Sequence, residues 1–419
     1  MRIAIALSAC AAMSACQAAF AGEVTLVVQN AYGATPQVVT PIGVQIDLDQ
    51  ALGAGADPGR LHLAESGPND KPGPAIPVQF EPDLAAVSLG KGPKIGTLWW
   101  LLPPRPPGQR RFRLTLQDAM VRVPMAIRKD AAGDYYDVFD LGRPVLRFNH
   151  GIVPVPPGLA ANYARADYIH PIFGPGGERL SDDYAKDHPH HRGVGWSWPV
   201  TRWNSEVRDI WACVGVWSRP VAIRRTIAGP VLAILDAEHA WKWGDTDAIV
   251  REEVTIRAFR SCEVGRLVDV EVHLTALVDG VAIGGRPHAG YGGFGLRGAP
   301  AKDRKITAAT NPIGSSNLWS RLDYSGLFAG GQGPAGIAIF ERCSNPYYPN
   351  KLHQYPECNY VMPAFPGERE VPLAKGKTLS LGHRLWVHSG YAEEKTLAEI
   401  CSGYNNPRIV QLAERPAAK

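Results

Sequence analysis

Several stretches of the chain alternate between apolar and polar residues. Val44, Ile46 and Leu48 fall on one side against Gln45, Asp47 and Asp49, and Phe112, Leu114 and Leu116 oppose Arg111, Arg113 and Thr115. Val250, Val254 and Ile256 oppose Arg251, Glu253 and Arg257, and Val268, Val270, Val272 and Leu274 oppose Asp269, Glu271, His273 and Thr275. A period of two gives each stretch one buried and one wet face, the signature of antiparallel strands. The polar face of Asp269, Glu271 and His273 is expected to be solvated. Helical spacing is rare. The best instance is Ala392–Cys401, where Leu397, Ile400 and Cys401 form a short apolar stripe.

The apolar runs are short and heavily punctuated by 44 glycines and 36 prolines, as in an all-β protein rich in turns. The reading is an N-terminal β-sandwich-like domain over residues 22–120, then a large antiparallel β-supersandwich over 121–395, then a C-terminal tail over 396–419. The boundary falls within 118–142, after the proline-rich turn at 103–108 and a closing strand. A β-region this long cannot lie in one flat layer, so it must double over.

Residues 1–21 read as a secretory signal: Arg2, an apolar run Ile3–Ala15, and the small-x-small site Ala19-Phe20-Ala21 before Gly22. The alternative is lipoprotein processing at Cys16; Cys10 leaves too short an apolar run before it. Beyond this leader no apolar run approaches the ~18 residues of a spanning helix. A periplasmic or secreted protein is expected. The net charge of +4 is small and the basic residues are scattered, which argues against nucleic acid as a partner. Cys213, Cys262, Cys343, Cys358 and Cys401 follow the leader without C-x-x-C spacing; Cys343 and Cys358 flank a Pro/Tyr-rich loop and are candidates to pair. Oligomeric state is open.

Chemistry concentrates in DHPHHRGVGWSW, residues 187–198. Clustered imidazoles beside a guanidinium are costly to bury without partners. As an extended segment it points His188 and His190 to one side and His191 to the other. His188 and His190 are then candidate ligands of a divalent metal ion, with a third ligand from His150, His170 or Asp183. Without a metal, His190 or His191 serves as general acid or base, Arg192 neutralises substrate charge, and Asp183 or Asp187 orients a histidine or acts as second acid–base group. No cofactor is then required.

Trp196 and Trp198, with Trp203, Trp241 and Trp243 nearby in sequence, suggest faces for a sugar ring; the competing reading is core filling. Arg147, Asn149, His150, Tyr168 and His170 lie on flanking segments, and Asp323, Tyr324, Asn345 and His353 on expected loops that complete a cleft wall. The site is therefore expected to gather these groups in one groove and to act on a carbohydrate or glycoside. Activity by unperturbed histidines would vary with pH between roughly 5 and 8.

These segments also carry a resemblance. RPVLRFNHG (143–151), DYIHPIFGPGGERLSDDY (167–184), DHPHHRGVGWSW, YGGFGLR (291–297), LDYSG (322–326), GIAIFERCSNPYYP (336–349) and LGHRLWVHSG (381–390) resemble a bacterial family labelled "methane oxygenase PmoA". The membrane oxygenase behind that label is polytopic, whereas this chain has no spanning run after its leader. The resemblance therefore implies an exported, carbohydrate-associated β protein. The C-terminal half is also similar to the supersandwich of aldose epimerases (the galactose-mutarotase type) and several polysaccharide lyases. That similarity implies histidine and arginine doing acid–base work on sugars in a concave groove, by lysis or hydrolysis of a glycosidic bond or rearrangement of a uronic unit. The alternatives are a non-catalytic glycan-binding protein and a metal-dependent oxidising enzyme using His188 and His190.

Overall fold

In a computed structural model, the described residues are 22–29, 38–67, 71–85, 94–104, 108–310, 320–406 and 408–413. Residues 1–21, read above as a secretory signal, with Cys10 and Cys16, lie outside them. The architecture is all-β and antiparallel, with an N-terminal β-sandwich followed by a large supersandwich. Among the described residues no helix is long and apolar enough to cross a membrane.

The N-terminal sandwich sets a five-stranded sheet over a three-stranded one, Thr40–Asp47, Ile95–Leu102 and Val78–Pro82. The alternation seen in the sequence supplies its core: Ile42, Ile46, Leu98, Trp100, Phe112 and Leu114 are all buried. The C-terminal tail reading is corrected. Residues 394–405 form a helix whose Leu397, Ile400 and Cys401 are buried, and Ile409–Leu412 is an edge strand pairing antiparallel with Val24–Gln29. The chain's end thus closes the first domain, covering an edge that would otherwise offer unpaired N–H and C=O groups.

Two eight-stranded sheets form the supersandwich. The front sheet runs Lys351–Tyr355, Tyr360–Ala364, Gly293–Arg297, Val194–Ser197, Tyr168–Ile172, Arg143–Asn149, Tyr135–Asp140, Met125–Lys129. The back sheet contains the long strands Leu232–Trp243, Asp247–Phe259, Arg266–Ala276 and Thr378–Ser389. Val250, Val254 and Ile256 of the back sheet share one core with Phe148, Ile169, Val194 and Phe294 of the front.

The outer face of the back sheet is not solvated as expected. Asp269 is buried and takes a bidentate pair from Arg384 at 2.6 and 2.8 Å, and Glu271 accepts from Arg257 at 2.7 Å and Arg342 at 2.5 Å. Glu81 of the N-terminal domain joins by accepting from Arg257 and Arg225. Charges so far from water persist because each carboxylate meets a guanidinium fork. This ionic layer fixes the first domain on the second.

Candidate functional site

The histidine-rich segment is a turn. Pro189 fixes the backbone at the second position, and the His191 N–H donates to the His188 carbonyl at 2.9 Å. That closure brings residues three apart together. The His188 and His191 rings stack with centroids 4.6 Å apart and planes within 5°, and His190 meets His191 edge-on at 4.5 Å. The expected pairing of His188 with His190 is thus corrected to His188 with His191, because the segment is not extended. Immediately after the turn, Gly193 has φ +31°, and a Cβ there would lie 2.1 Å from the Ile169 carbonyl oxygen. Only glycine lets the chain pass so close to the neighbouring strand.

Three other loops complete the walls. Trp211 and Ala212 come from the turn closed by Asp209, whose carboxylate accepts from the Ala212 N–H at 2.8 Å. Arg286 and Tyr291 lie at two ends of a loop closed by backbone bonds. Tyr355, Glu357, Cys358 and Tyr360 come from the connection between the last two front-sheet strands. With the histidines they line a cleft of about 330 Å³. Its walls are aromatic: His191 lies 4.4 Å from Tyr360 and 5.6 Å from Trp211, and Trp211 lies 5.5 Å from Tyr291. Two larger hollows, of about 430 and 900 Å³, are lined without any of these imidazoles.

A chain of polar contacts stands behind the turn. Arg297, almost wholly buried, donates two hydrogen bonds to Asp187 at 3.1 and 2.7 Å. Asp187 in turn lies 3.0 Å from Nδ1 of His188. The Arg297 hydrogen bonds hold the Asp187 carboxyl well below the usual range. Burial, then the neighbouring His188 and arginines, pushes His190 down to about 4, and burial pushes His191 lower still. Both rings are therefore neutral at pH 7, so His190 and His191 do not titrate in the expected range between pH 5 and 8. Burial raises the Cys358 thiol and the Tyr360 phenol. One ring nitrogen from each of His188 and His191 and the Cys358 sulfur lie within 4.8 Å of one another.

Many expected site residues lie elsewhere. Arg192 is sequestered: it donates to Asp183 at 2.7 Å, to the Tyr163 carbonyl at 2.9 Å and to the Tyr168 hydroxyl at 3.3 Å, and its guanidinium sits 3.2 Å from the Tyr184 ring centre. It cannot meet a substrate charge without breaking this set. Asp183 is bound into the same clamp and orients no histidine, and the hydroxyl of buried Tyr168 also donates to it. His170 sits beside Ser181 at 2.9 Å, and Asn149 is spent on the His170 carbonyl at 2.8 Å. Arg147 pairs with Asp137 on the front sheet.

Trp196 and Trp198 are core residues, not sugar platforms. Trp198 is fully buried and its indole donates to the Phe365 carbonyl at 3.0 Å, while Trp196 stacks on Phe294. Asp323 and Tyr324 lie on the strand Ser320–Phe328 rather than a loop, Asp323 being buried 2.9 Å from His388. Asn345 ties its loop to both backbone groups of Gly382. His353 contacts the Tyr355 hydroxyl at 2.9 Å, just behind the cleft wall. The Cys343–Cys358 pairing is also corrected: both are free thiols, Cys343 lying against Asn405 and Cys358 in the cleft.

His150 points into the interior, 4.8 Å from His239, beside an acidic pair that sequence reasoning missed. Asp167 and Glu252 are buried and share Ser218. Burial raises both pKa values, and the Asp167 charge pushes Glu252 up further, while the contact with Glu252 works the other way on Asp167. Glu252 accepts from the Trp196 and Trp241 indoles at 2.5 and 2.7 Å. The available signal was Glu252 falling in step with the buried Val250 and Val254. Nothing local marked Trp211, Arg286, Tyr291, Arg297 or Cys358 as partners of the histidines.

The chain belongs to a family described as "Family of unknown function (DUF6807)", whose model matches residues 137–402. No curated protein matches it. Among solved structures it is similar to a protein in the glycosyl hydrolase family 38 from Enterococcus faecalis, at 10% identity, a TM-score of 0.40, and coverage of 94% of this chain and 48% of that one. The chain spans about half the length of that protein.

Proposed function

We propose that this member of a family of unknown function is an exported carbohydrate-active enzyme whose cleft transfers a proton to or from one sugar unit through an imidazole. The observation that carries the reading is the convergence of His188, His190 and His191 on an aromatic-walled cleft of about 330 Å³. That volume lies in the range of small-molecule sites and suits a single ring better than a long chain. Aromatic walls cover the C–H faces of a sugar ring, while Arg286 and Glu357 at the cleft offer a donor and an acceptor for hydroxyl or carboxylate groups.

His190 is the acid–base candidate, because His188 is held by Asp187 and His191 is pressed against Tyr360. Being neutral at pH 7, it enters the cycle as a base, taking a proton from a hydroxyl or from a carbon beside a carbonyl group, and returns that proton later. Arg286 takes the charge-neutralising role first assigned to Arg192. It is held by Asp209 at 2.7 Å and Tyr291 at 2.9 Å through Nη2 and Nε, which leaves Nη1 for a ligand.

The test is turnover across a panel of neutral and uronic glycosides, with binding measured separately. His190→Ala should lower kcat by roughly a hundredfold or more while Kd changes little. Unchanged turnover in His190→Ala would sink the assignment. Binding of glycans with no turnover of any panel member would favour the glycan-binding reading.

A further inference from the structure

We propose that the cleft holds a divalent transition metal, zinc foremost, on His188, His191 and the distant Cys358. Three observations meet at this spot. First, the donor atoms of the three side chains already lie within 4.8 Å of one another, so small side-chain rotations reach metal–ligand spacing, with bonds of about 2.0–2.3 Å for nitrogen and sulfur. Two imidazoles with one thiolate form a set that favours zinc over calcium or magnesium, which take oxygen.

Second, His188 is oriented for such a role. Its Nδ1 faces Asp187, which is itself gripped by Arg297, so Nε2 is the atom left for a ligand. A carboxylate behind a histidine is the usual outer partner of a metal-bound imidazole, because it fixes the tautomer and strengthens the donor. Third, Nδ1 of His191 is buried without a hydrogen-bond partner, in a residue only 8% exposed. Such an atom is costly unless something satisfies it, and a metal ion would. Because all three residues line the cleft, the remaining coordination position faces the substrate space, where the ion supplies a Lewis acid.

The buried thiol must lose its proton on binding, so affinity should rise with pH. The inference deepens the carbohydrate reading by naming a cofactor for the same cleft. It rests on that reading for the metal's part in turnover and not for binding itself.

Full-length protein, stripped with chelator, is titrated with cobalt(II) and then with zinc. The expected result is one equivalent of cobalt with a near-ultraviolet thiolate charge-transfer band, displaced by zinc. Cys358→Ser should abolish that band. His188→Gln and Asp187→Asn should each weaken binding about 10–100-fold. His188 is 42% exposed, so His188→Gln tests the ligand set without threatening the fold. Failure of cobalt and zinc to bind, or binding untouched by both His188→Gln and Cys358→Ser, overturns the proposal. Metal binding without turnover of any sugar refutes the carbohydrate reading alone. Full turnover in chelator-treated, metal-free protein refutes the metal's catalytic part alone.

Discussion

Replacing Arg192 by methionine is the sharpest test of how the site is supported. The side chain lies in a pocket made by Asp183, Tyr168, the Tyr163 carbonyl and the Tyr184 ring. Its side chain is 1% exposed and that of Asp183 15%, so water screens the pair weakly. Methionine keeps most of the length but strands the Asp183 carboxylate with donors only from Tyr168 and the Tyr184 backbone. Removing one member of a buried pair costs ~3–5 kcal/mol, chiefly from the charge left behind. At roughly 2–4 °C per kcal/mol for a unit of this size, melting should fall by roughly 6–20 °C. If the stranded charge is the cause, adding Asp183→Asn should restore about 1–3 kcal/mol. Differential scanning calorimetry of wild type, both single variants and the double variant forms the cycle. The clamp also sets the site: Tyr163, whose carbonyl it holds, stacks on His190 at 6.3 Å. A melting temperature within about 2 °C of wild type for Arg192→Met, outside the range set by that cost, would refute the reasoning.

Further outcomes follow from the same geometry. By NMR, His190 should titrate near 4, and a rate depending on it should stay flat from about pH 5 to 8 and fall only as pH drops toward 4, since protonation removes the base; a midpoint near the ordinary 6.5 would contradict its burial. Trp211→Ala should weaken sugar binding tenfold or more, on the order of 1.4 kcal/mol, with isothermal titration as the measurement. Trp198→Ala should instead cost ~3–5 kcal/mol of stability as a core deletion, and a change in sugar affinity without loss of stability would restore it as a platform. In native protein, Cys343 should be alkylated first, because it is exposed whereas Cys213, Cys358 and Cys401 are buried; mass spectrometry after timed labelling decides the order.

By itself the sequence determined the fold class, because strand alternation is a local property. Side chains at every second position of Arg266–Ala276 or Asp247–Phe259 face the same way whatever they pack against, so Val250, Val254, Ile256, Val268 and Val270 announced a buried sheet face. The stripe Leu397, Ile400, Cys401 announced the helix for the same reason. The sequence also marked the histidine string as the place to look, since clustered imidazoles have no cheap place in a core. What it could not supply was which residues meet there. Pro189 turned an expected strand into a turn, exchanging His190 for His191 as the neighbour of His188. The burial of Arg192 and Trp198 depends on which segments the fold packs around them, and the ion pairs that sequester the face of Asp269 and Glu271 come from arginines of adjacent strands and from Arg342. Cys358, Arg286 and Trp211 reach the cleft, and Arg297 the back of its histidine turn, only because strand pairing brings distant segments to one end of the front sheet. Periodicity fixes which way a side chain points, whereas its partner is set by long-range packing, and the chemistry of this cleft is a matter of partners.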